Sequence, residues 1–455
     1  MFSKHSRNTK RINYSILMAI TISSMLFVLA IGPTTAQDEA PITVTDAFGN
    51  EVVIEDMSRI VTLGGAVTET VFALNMGENI VAVDESSIYP AEATELPIIG
   101  YLRFLTAEPI LEVAPTLIIA TEDAGPAEVV DQLKSSGVTF LVVPAEDTFE
   151  GAAEKIMAIA TALGREEEGV ALVAEMEADV TQAAALSETV ETKPRVMFIF
   201  LRGAAVLIVS GEGTGADEMI RLAGGENVIT DYEGYMPISA EAVIAAAPDI
   251  ILTTSLGIES VGGLDALMEL PGIAQTPAGE NGRIIYQNLD DLYLLGFTSR
   301  MGDAVLDLTY LLHEELPRPI PVVLRLDGRF NIFMNGIETA GHDVLLSGEG
   351  TFTIFAPTDQ AFLTMDPETL ESLLSSPISV HFVWSHHYVS DRLLAADILA
   401  MDGQALTANY GELPVSLGED GTIILEGAAN MIESDIEAAN GIIHAIDMPM
   451  VPERR

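Results

Sequence analysis

Two segments of the chain follow the same pattern, 133 residues apart. Residues 105–119 read LTAEPILEVAPTLII, and residues 238–251 read ISAEAVIAAAPDII. After one apolar residue, each has a hydroxyl residue, Ala and Glu, continues with an apolar helical turn and Ala-Pro, and ends in an apolar run typical of a buried strand. The repeat predicts that the chain builds the same helix–strand unit twice, so we expect two related α/β lobes.

The sequence around these repeats supports that expectation. Residues 40–54 alternate and break at Gly49-Asn50, which predicts a β-hairpin. Residues 148–189 have helical periodicity interrupted only near 164–169, which predicts a long helix that links the lobes. We therefore expect residues 40–316 to form two lobes with a ligand cleft between them. Further strands are predicted at 59–63, 80–83, 116–120, 139–143, 195–200, 205–209 and 250–254.

The first 36 residues have the pattern of a secretory signal peptide. Four basic residues precede the apolar run 16–31, and Thr34-Thr35-Ala36 is a small-residue cleavage site. An uncleaved anchor is the alternative, although the apolar run is short for a membrane span. Because the chain has no cysteine, it cannot be a lipoprotein, and we expect a mature protein without disulfides that is periplasmic or secreted.

Charge narrows the range of partners. The chain has 21 basic and 68 acidic residues and a formal net charge of −47, which argues against nucleic acid and anionic lipid as ligands. The sequence contains no recognisable nucleophile–base pair, metal cluster or Gly-Lys phosphate loop, so we do not expect an enzyme.

A tyrosine and an arginine lie two residues apart in the loop sequence Gly100-Tyr101-Leu102-Arg103, and the predicted strand 116–120 follows. Loops held by a rigid scaffold often carry binding groups. The pair is therefore a candidate ligand contact, and a surface turn with a packed tyrosine is the alternative.

The two lobes, the linking helix and the repeats resemble the helical-backbone substrate-binding proteins of ABC importers for vitamin B12, siderophores and haem. Within that superfamily, VDESSIYP…LPIIGYLRFLTAEPIL…EDAGP resembles the periplasmic haem-binding proteins. The resemblance implies that Tyr101 is the axial ligand of haem iron and that Arg103 supports it. It also implies that Glu108 and Glu241 dock on arginines of the permease. The alternative for each glutamate is a favourable charge at a helix start.

The residue inventory is compatible with this ligand. Residues 37–312 contain no histidine or cysteine, so a haem iron bound there could take only Tyr or Met among its usual donors. A phenol ionises near pH 10 in model peptides, so it would need the metal and a cation to activate it. Haem propionates need cations, and the candidates are Arg202 and Arg300, the latter in a segment that resembles a cleft-lining loop of the family. Tyr235 is the alternative donor from the second lobe, or a packing residue.

A second module follows a proline-spaced linker at 317–321. The segments TFTIFAPTDQAF, HHYVSDRLLAADI and NGIIHAIDMPMVP resemble, in order, the signature segments of a fasciclin (FAS1) domain, here over 322–452. The resemblance implies adhesion or protein contact without catalysis. Asp359 is expected to cap a helix. His386 and His387 are expected to face opposite sides of a strand, which favours a structural role over a shared metal ion.

These patterns predict an α/β, two-lobed substrate-binding protein with a long linking helix, followed by a C-terminal α+β fasciclin-like domain. The expected function is binding of ferric haem between the lobes and its delivery to an ABC permease for iron acquisition. The alternatives are a ferric-siderophore or corrinoid binding protein, and an adhesion protein whose binding module has degenerated.

Overall fold

The computed structural model describes residues 41–203, 207–348, 350–374, 376–401, 404–408 and 411–451. The predicted signal peptide and part of the predicted strand 205–209 lie outside these residues. Among the described residues, no helix is both long enough and apolar enough to cross a membrane.

The first lobe is a parallel sheet preceded by the predicted hairpin. Strands β1 and β2 pair antiparallel with Ile42 opposite Ile54, which confirms the hairpin. The sheet order is β4-β3-β5-β6, and its strands are almost entirely buried because they are apolar runs covered by helices on both faces. The elements are β1 (Ile42–Thr45), β2 (Glu51–Ile54), β3 (Ile60–Leu63), α1 (Gly65–Ala73), β4 (Ile80–Val83), α2 (Ala107–Glu112), β5 (Leu117–Thr121), α3 (Ala127–Ser135) and β6 (Thr139–Val143).

The predicted linking helix consists of two helices, α4 (Phe149–Ala162) and α5 (Glu166–Ser187). The break falls within the predicted interval, at Gly164, whose φ of 64° favours glycine. Helix α5 packs along the last helix of the second lobe, so this segment belongs to the framework of both lobes.

The second lobe repeats the strand–helix construction around a mixed sheet of order β10-β8-β7-β11-β12, with β9 also paired to β7. Ala247 before its repeat strand has a φ of 44°, and Ala114 in the first lobe has a φ of 46°, so the two repeats share even this unusual backbone turn. The elements are β7 (Arg195–Phe200), β8 (Ile208–Ser210), α6 (Gly215–Leu222), β9 (Glu226–Asn227), β10 (Tyr235–Pro237), α7 (Ala240–Ala246), β11 (Ile250–Leu252), α8 (Ser255–Val261), α9 (Leu264–Glu269), α10 (Pro277–Asn281), β12 (Ile284–Ile285), α11 (Asp291–Leu295) and α12 (Met301–Leu312).

The C-terminal module combines helices with a sheet of order β14-β13-β20-β19-β18-β17. Its central strand β13 pairs parallel with β20 and antiparallel with β14. The elements are α13 (Ile320–Asp327), α14 (Asn331–Thr339), α15 (Asp343–Ser347), β13 (Phe352–Pro357), α16 (Asp359–Leu363), α17 (Pro367–Leu374), α18 (Pro377–Trp384), β14 (Tyr388–Val389), α19 (Ala395–Ala400), β15 (Leu406–Thr407), β16 (Glu412–Leu413), β17 (Val415–Leu417), β18 (Ile423–Leu425), β19 (Ala429–Ala438) and β20 (Gly441–Ile446).

Helix α13 joins the modules, and the described residues from Pro41 onwards form one compact unit. The end of the predicted linker is not extended, because Ile320 and Pro321 form the buried first turn of α13. Val322 packs in the core of the second lobe, whereas Ile320 and Leu324 pack in the core of the C-terminal module. The two cores therefore meet at this helix.

Two local expectations for the C-terminal module are wrong. Thr358, not Asp359, caps α16, since its side chain accepts from Ala361 N, while Asp359 accepts from Ile332 N at the start of α14. His386 and His387 lie in the 3₁₀ turn before β14 instead of alternating along a strand.

Both histidines are nevertheless buried and hydrogen-bonded within the fold. Nε2 of His386 lies 2.7 Å from Glu426, and the ring of His387 bonds to Val383 O and Met450 N. Burial lowers the pKa of His387 to about 4, so the ring is neutral. These contacts agree with the structural role expected for the pair.

Candidate functional site

Tyr101 is held on a turn that folds back against strand β4. Val83 N donates to Pro97 O, Ile99 N donates to Val83 O, and Glu85 N donates to Gly100 O, so the chain before Tyr101 runs alongside the end of the strand. Gly100 has a φ of 112°, a conformation that favours glycine and that turns the chain just before Tyr101. Tyr101 consequently lies at the surface, with 38% of the residue exposed.

Arg103 follows Tyr101 by two residues, and in an extended loop the two side chains would point to the same side. Residues Leu102–Phe104 form a 3₁₀ turn, so the alternation of an extended chain does not apply. The Arg103 guanidinium forms an ion pair with Asp123 at 2.8 Å. The hydrogen bond that Arg103 donates to Asp123 raises the pKa of Arg103, and the charges of Asp123, of Asp147 and of Tyr101 in its phenolate form act in the same direction. A permanent cation thus stands within electrostatic reach of the phenol.

Tyr235 and Arg202 come together on the second lobe. The ring of Tyr235, 44% exposed, lies 5.9 Å from the ring of Phe200, and the Arg202 guanidinium lies 4.3 Å from the centre of the same Phe200 ring. Arg202 also forms an ion pair with Asp291 at 2.6 Å. The two predicted residues therefore flank one aromatic side chain, and Arg202 already has an acidic partner.

Asp147 connects these two groups electrostatically. Burial raises the pKa of Tyr235 to about 12, and the charge of Asp147 contributes in the same direction. The same carboxylate raises the pKa of Arg103 of the first lobe, so its charge acts on one residue of each lobe. Burial raises the pKa of Asp147 itself, an effect opposed by the charge of Lys155. Sequence patterns had not singled out Asp147, because an aspartate before a helix is ordinary.

Lys155 is a second residue that sequence reasoning missed. It is 3% exposed in helix α4, and its Nζ donates to the carbonyl of Phe297 in the second lobe at 3.2 Å. Burial lowers the pKa of its ammonium group. A lysine within a helical pattern is usually exposed to solvent, so nothing in the local sequence indicates this interlobe contact.

Arg300 has a different environment from the other predicted residues. Its guanidinium bonds Glu69 of helix α1 at 2.8 Å and lies 3.5 Å from the ring centre of Tyr89 and 4.9 Å from that of Tyr293. Since Glu69 and Tyr89 belong to the first lobe, Arg300 ties the lobes together. Its predicted role in ligand binding remains a prediction.

Glu108 and Glu241 occupy matching positions. Each is exposed in the first turn of its helix, α2 or α7. Hydrogen bonds with its own backbone and with Ser239 lower the pKa of Glu241, so it is ionised at neutral pH. Each lobe therefore presents one carboxylate at an equivalent helix start.

Comparisons with known proteins identify both modules. A family model described as periplasmic binding protein matches residues 60–288, half of the chain. The chain belongs to the periplasmic binding protein family. A second model, for the fasciclin domain, matches residues 328–452, so the predicted combination of a binding protein with a fasciclin domain is confirmed.

Solved structures of periplasmic binding proteins share this fold. The periplasmic heme-binding protein RhuT from Roseiflexus sp. RS-1 is 44% identical with a TM-score of 0.55, covering 57% of this chain and 99% of that protein. The periplasmic heme-binding protein HutB of Vibrio cholerae is 31% identical with a TM-score of 0.52, covering 57% of this chain and 100% of that protein. The vitamin B12-binding protein of Vibrio parahaemolyticus is 26% identical over 201 residues, 44% of this chain and 72% of that protein. These likenesses confirm the predicted fold class.

Proposed function

We propose that this periplasmic binding protein is the exported component of an ABC haem importer, and that it binds ferric haem between its lobes through Tyr101. The observation that carries the proposal is the half-exposed phenol on a braced turn, next to the Arg103 cation. The similarity to heme-binding proteins from Roseiflexus and Vibrio cholerae supports haem as the ligand.

The chemistry of the donor favours oxidised haem. A phenolate oxygen is a hard, anionic ligand that stabilises ferric iron, which suits haemin outside the cell. Arg103 favours the charged form of a neighbouring phenol, because an opposite charge stabilises ionisation. In this proposal Arg202 leaves its ion pair with Asp291 and binds a haem propionate, and Tyr235 covers the haem from the second lobe.

Titration of the mature protein with haemin, followed by absorbance, tests this proposal. We expect binding of one ferric haem with a high-spin tyrosinate spectrum, and loss of that spectrum in Tyr101→Phe. Tyr235→Phe, and Tyr286→Phe as a control within the second lobe, should keep it. A folded Tyr101→Phe variant with the wild-type spectrum would show that Tyr101 is not the iron ligand.

Delivery to a permease is the second part of the proposal. Glu108 and Glu241 are exposed and equivalently placed, so they can meet two arginines of a symmetric or pseudo-symmetric partner. The paired change Glu108→Ala with Glu241→Ala should leave haemin binding intact and impair uptake in a strain that carries the transporter. Glu112→Ala, on the same helix as Glu108, serves as the control. Unimpaired uptake in the paired variant would reject this docking role. The fasciclin domain would serve contact with another protein, as its family resemblance implies.

A corrinoid is the second candidate ligand, favoured by the likeness to the vitamin B12-binding protein of Vibrio parahaemolyticus. Corrinoid binding would not need a protein donor to cobalt. Binding of cyanocobalamin that survives Tyr101→Phe, together with no response to haemin, would favour this candidate over haem.

A further inference from the structure

A buried carboxylate lies directly beneath the turn that carries Tyr101. Asp84 follows strand β4 and is 1% exposed. Among the described residues no lysine or arginine forms an ion pair with it. Its oxygens instead accept hydrogen bonds from Gly64 N at 2.9 Å, Ser86 Oγ at 2.9 Å, Ser87 Oγ at 3.1 Å and Leu102 N at 3.2 Å.

A buried charge without a cation is costly unless hydrogen bonds satisfy it. Here one carboxylate accepts from four donors, and hydrogen bonds to a carboxylate are stronger than those between neutral groups. They draw together three separate segments: the start of helix α1, the serines after β4, and the Tyr101 turn. Ser86 extends the arrangement by accepting from Gly65 N at 2.8 Å, and Ser87 bonds Thr68 at 2.7 Å. A side chain at position 65 would overlap the Ser86 carbonyl, so the close approach depends on glycine.

The bond to Leu102 matters most for Tyr101, because it starts at the peptide that joins the two residues. The far side of the turn is fixed differently: Gly125 N donates to Leu102 O at 3.0 Å, and Leu105 N donates to Gly125 O at 2.8 Å. Those bonds fasten the turn to the loop after β5. The Asp84 carboxylate fastens it to the end of β4, on the side where Tyr101 emerges.

We propose that Asp84 is the positioning residue for Tyr101, fixing the turn that presents the phenol to the ligand. The inference rests on the proposed haem-binding function, and it assigns to Asp84 the part that an outer-shell residue has in a metal site. Such residues orient the direct ligand, and their replacement typically costs 10–100-fold in affinity for the metal.

Asp84→Asn tests the proposal with little change in shape. The amide oxygen can still accept from Gly64 N, but the new NH₂ group then faces Leu102 N–H, so two donors meet where a hydrogen bond was. We expect haemin affinity to fall about 10–100-fold, and the tyrosinate band to weaken or shift. Asp46→Asn is the matched control, since Asp46 is 7% exposed and accepts from Phe48 N and Asn50 N in the β1–β2 turn. It should keep wild-type affinity and spectrum.

A readout without ligand separates this inference from the proposed function. Amide exchange of Leu102, measured in the unliganded mature protein, should accelerate in Asp84→Asn and remain slow in Asp46→Asn. Ser86→Ala removes hydrogen bonds to both carboxylate oxygens, so it should lower haemin affinity and accelerate exchange of the Leu102 amide, each by a smaller amount. It provides the test if Asp84→Asn does not fold. Wild-type exchange and affinity in a folded Asp84→Asn variant would overturn the proposal. Failure of the wild-type protein to bind haemin would instead overturn the proposed function, and the exchange measurement would still test the positioning role.

Discussion

The ion pair between Glu69 and Arg300 allows a quantitative test of how the lobes are held together. Glu69 is 2% exposed and accepts from Arg300 Nη2 at 2.8 Å, Ser299 Oγ at 3.0 Å and Arg300 N at 3.3 Å. The Arg300 side chain is 22% exposed and faces two tyrosine rings. Glu69→Gln removes the charge and keeps the shape, which leaves a largely buried guanidinium without its counter-ion.

The expected loss follows from this burial. Removing one partner of a buried ion pair typically costs about 3–5 kcal/mol, because the remaining charge stays desolvated. For a module of this size, each kcal/mol lowers the melting temperature by about 2–4 °C, so a fall of about 6–20 °C is expected. Replacing both partners, as in Glu69→Gln with Arg300→Met, should cost less than Glu69→Gln alone, since no unpaired charge is left.

Urea and thermal unfolding of the mature chain measure these differences. The pair of Glu218 and Arg221, three residues apart on helix α6 with the guanidinium largely exposed, provides a matched control. Glu218→Gln should cost no more than about 0.5 kcal/mol, the usual value of such a pair. A Glu69→Gln variant that loses less than about 1 kcal/mol would refute the reasoning, because the pair would then behave as an exposed one.

Two further predictions concern the contacts of the C-terminal module and the helix beside it. Burial, with the charges of Asp303 and Glu175, raises the pKa of Asp179 from 3.8 to about 7, so its ionised form destabilises the fold above that pH and the penalty disappears towards pH 4. Asp179→Asn should therefore raise the free energy of unfolding at pH 8 by about 1–2 kcal/mol and flatten its pH dependence. Glu177→Gln on the same helix should do neither, and an unchanged pH dependence in Asp179→Asn would contradict the assignment. A side chain at Gly336 would overlap the indole ring of Trp384, the single tryptophan, so Gly336→Ala should lower the free energy of unfolding by about 1–3 kcal/mol and alter tryptophan fluorescence. Gly348→Ala should leave both quantities unchanged, and wild-type fluorescence and stability in Gly336→Ala would contradict this packing.

The sequence was most informative where one segment is sufficient to define an element. Strands β6 and β7 lie at the predicted 139–143 and 195–200, because their apolar runs are bounded by turn residues. Strand β11 ends before the predicted Thr254, since that threonine caps helix α8 by accepting from Gly257 N. The predicted linker ends inside a helix for a related reason: proline is compatible with the first turn of a helix, and Pro321 lies in the first turn of α13.

The candidate site shows the same division between local and distant information. The Tyr101 turn and the two lobe glutamates are local patterns, and they were predictable as such. The partner of Arg300 is 231 residues away in the chain, and Lys155 bonds a carbonyl 142 residues away. Such pairings depend on how the lobes pack, which no window of the sequence contains.

Helix α13 limits how the two modules could be exchanged with others during evolution. One of its faces completes the interior of the second lobe, and the opposite face completes the interior of the fasciclin domain. Its Arg325 also bonds Asp307 of α12 at 2.8 Å and lies 4.0 Å from Glu338 of α14, so one cation is shared across the boundary. A recombined chain that took a foreign domain after Leu316 would have to bring a two-faced helix and a similarly placed guanidinium. The binding module and the fasciclin domain are thus more easily transferred together than separately.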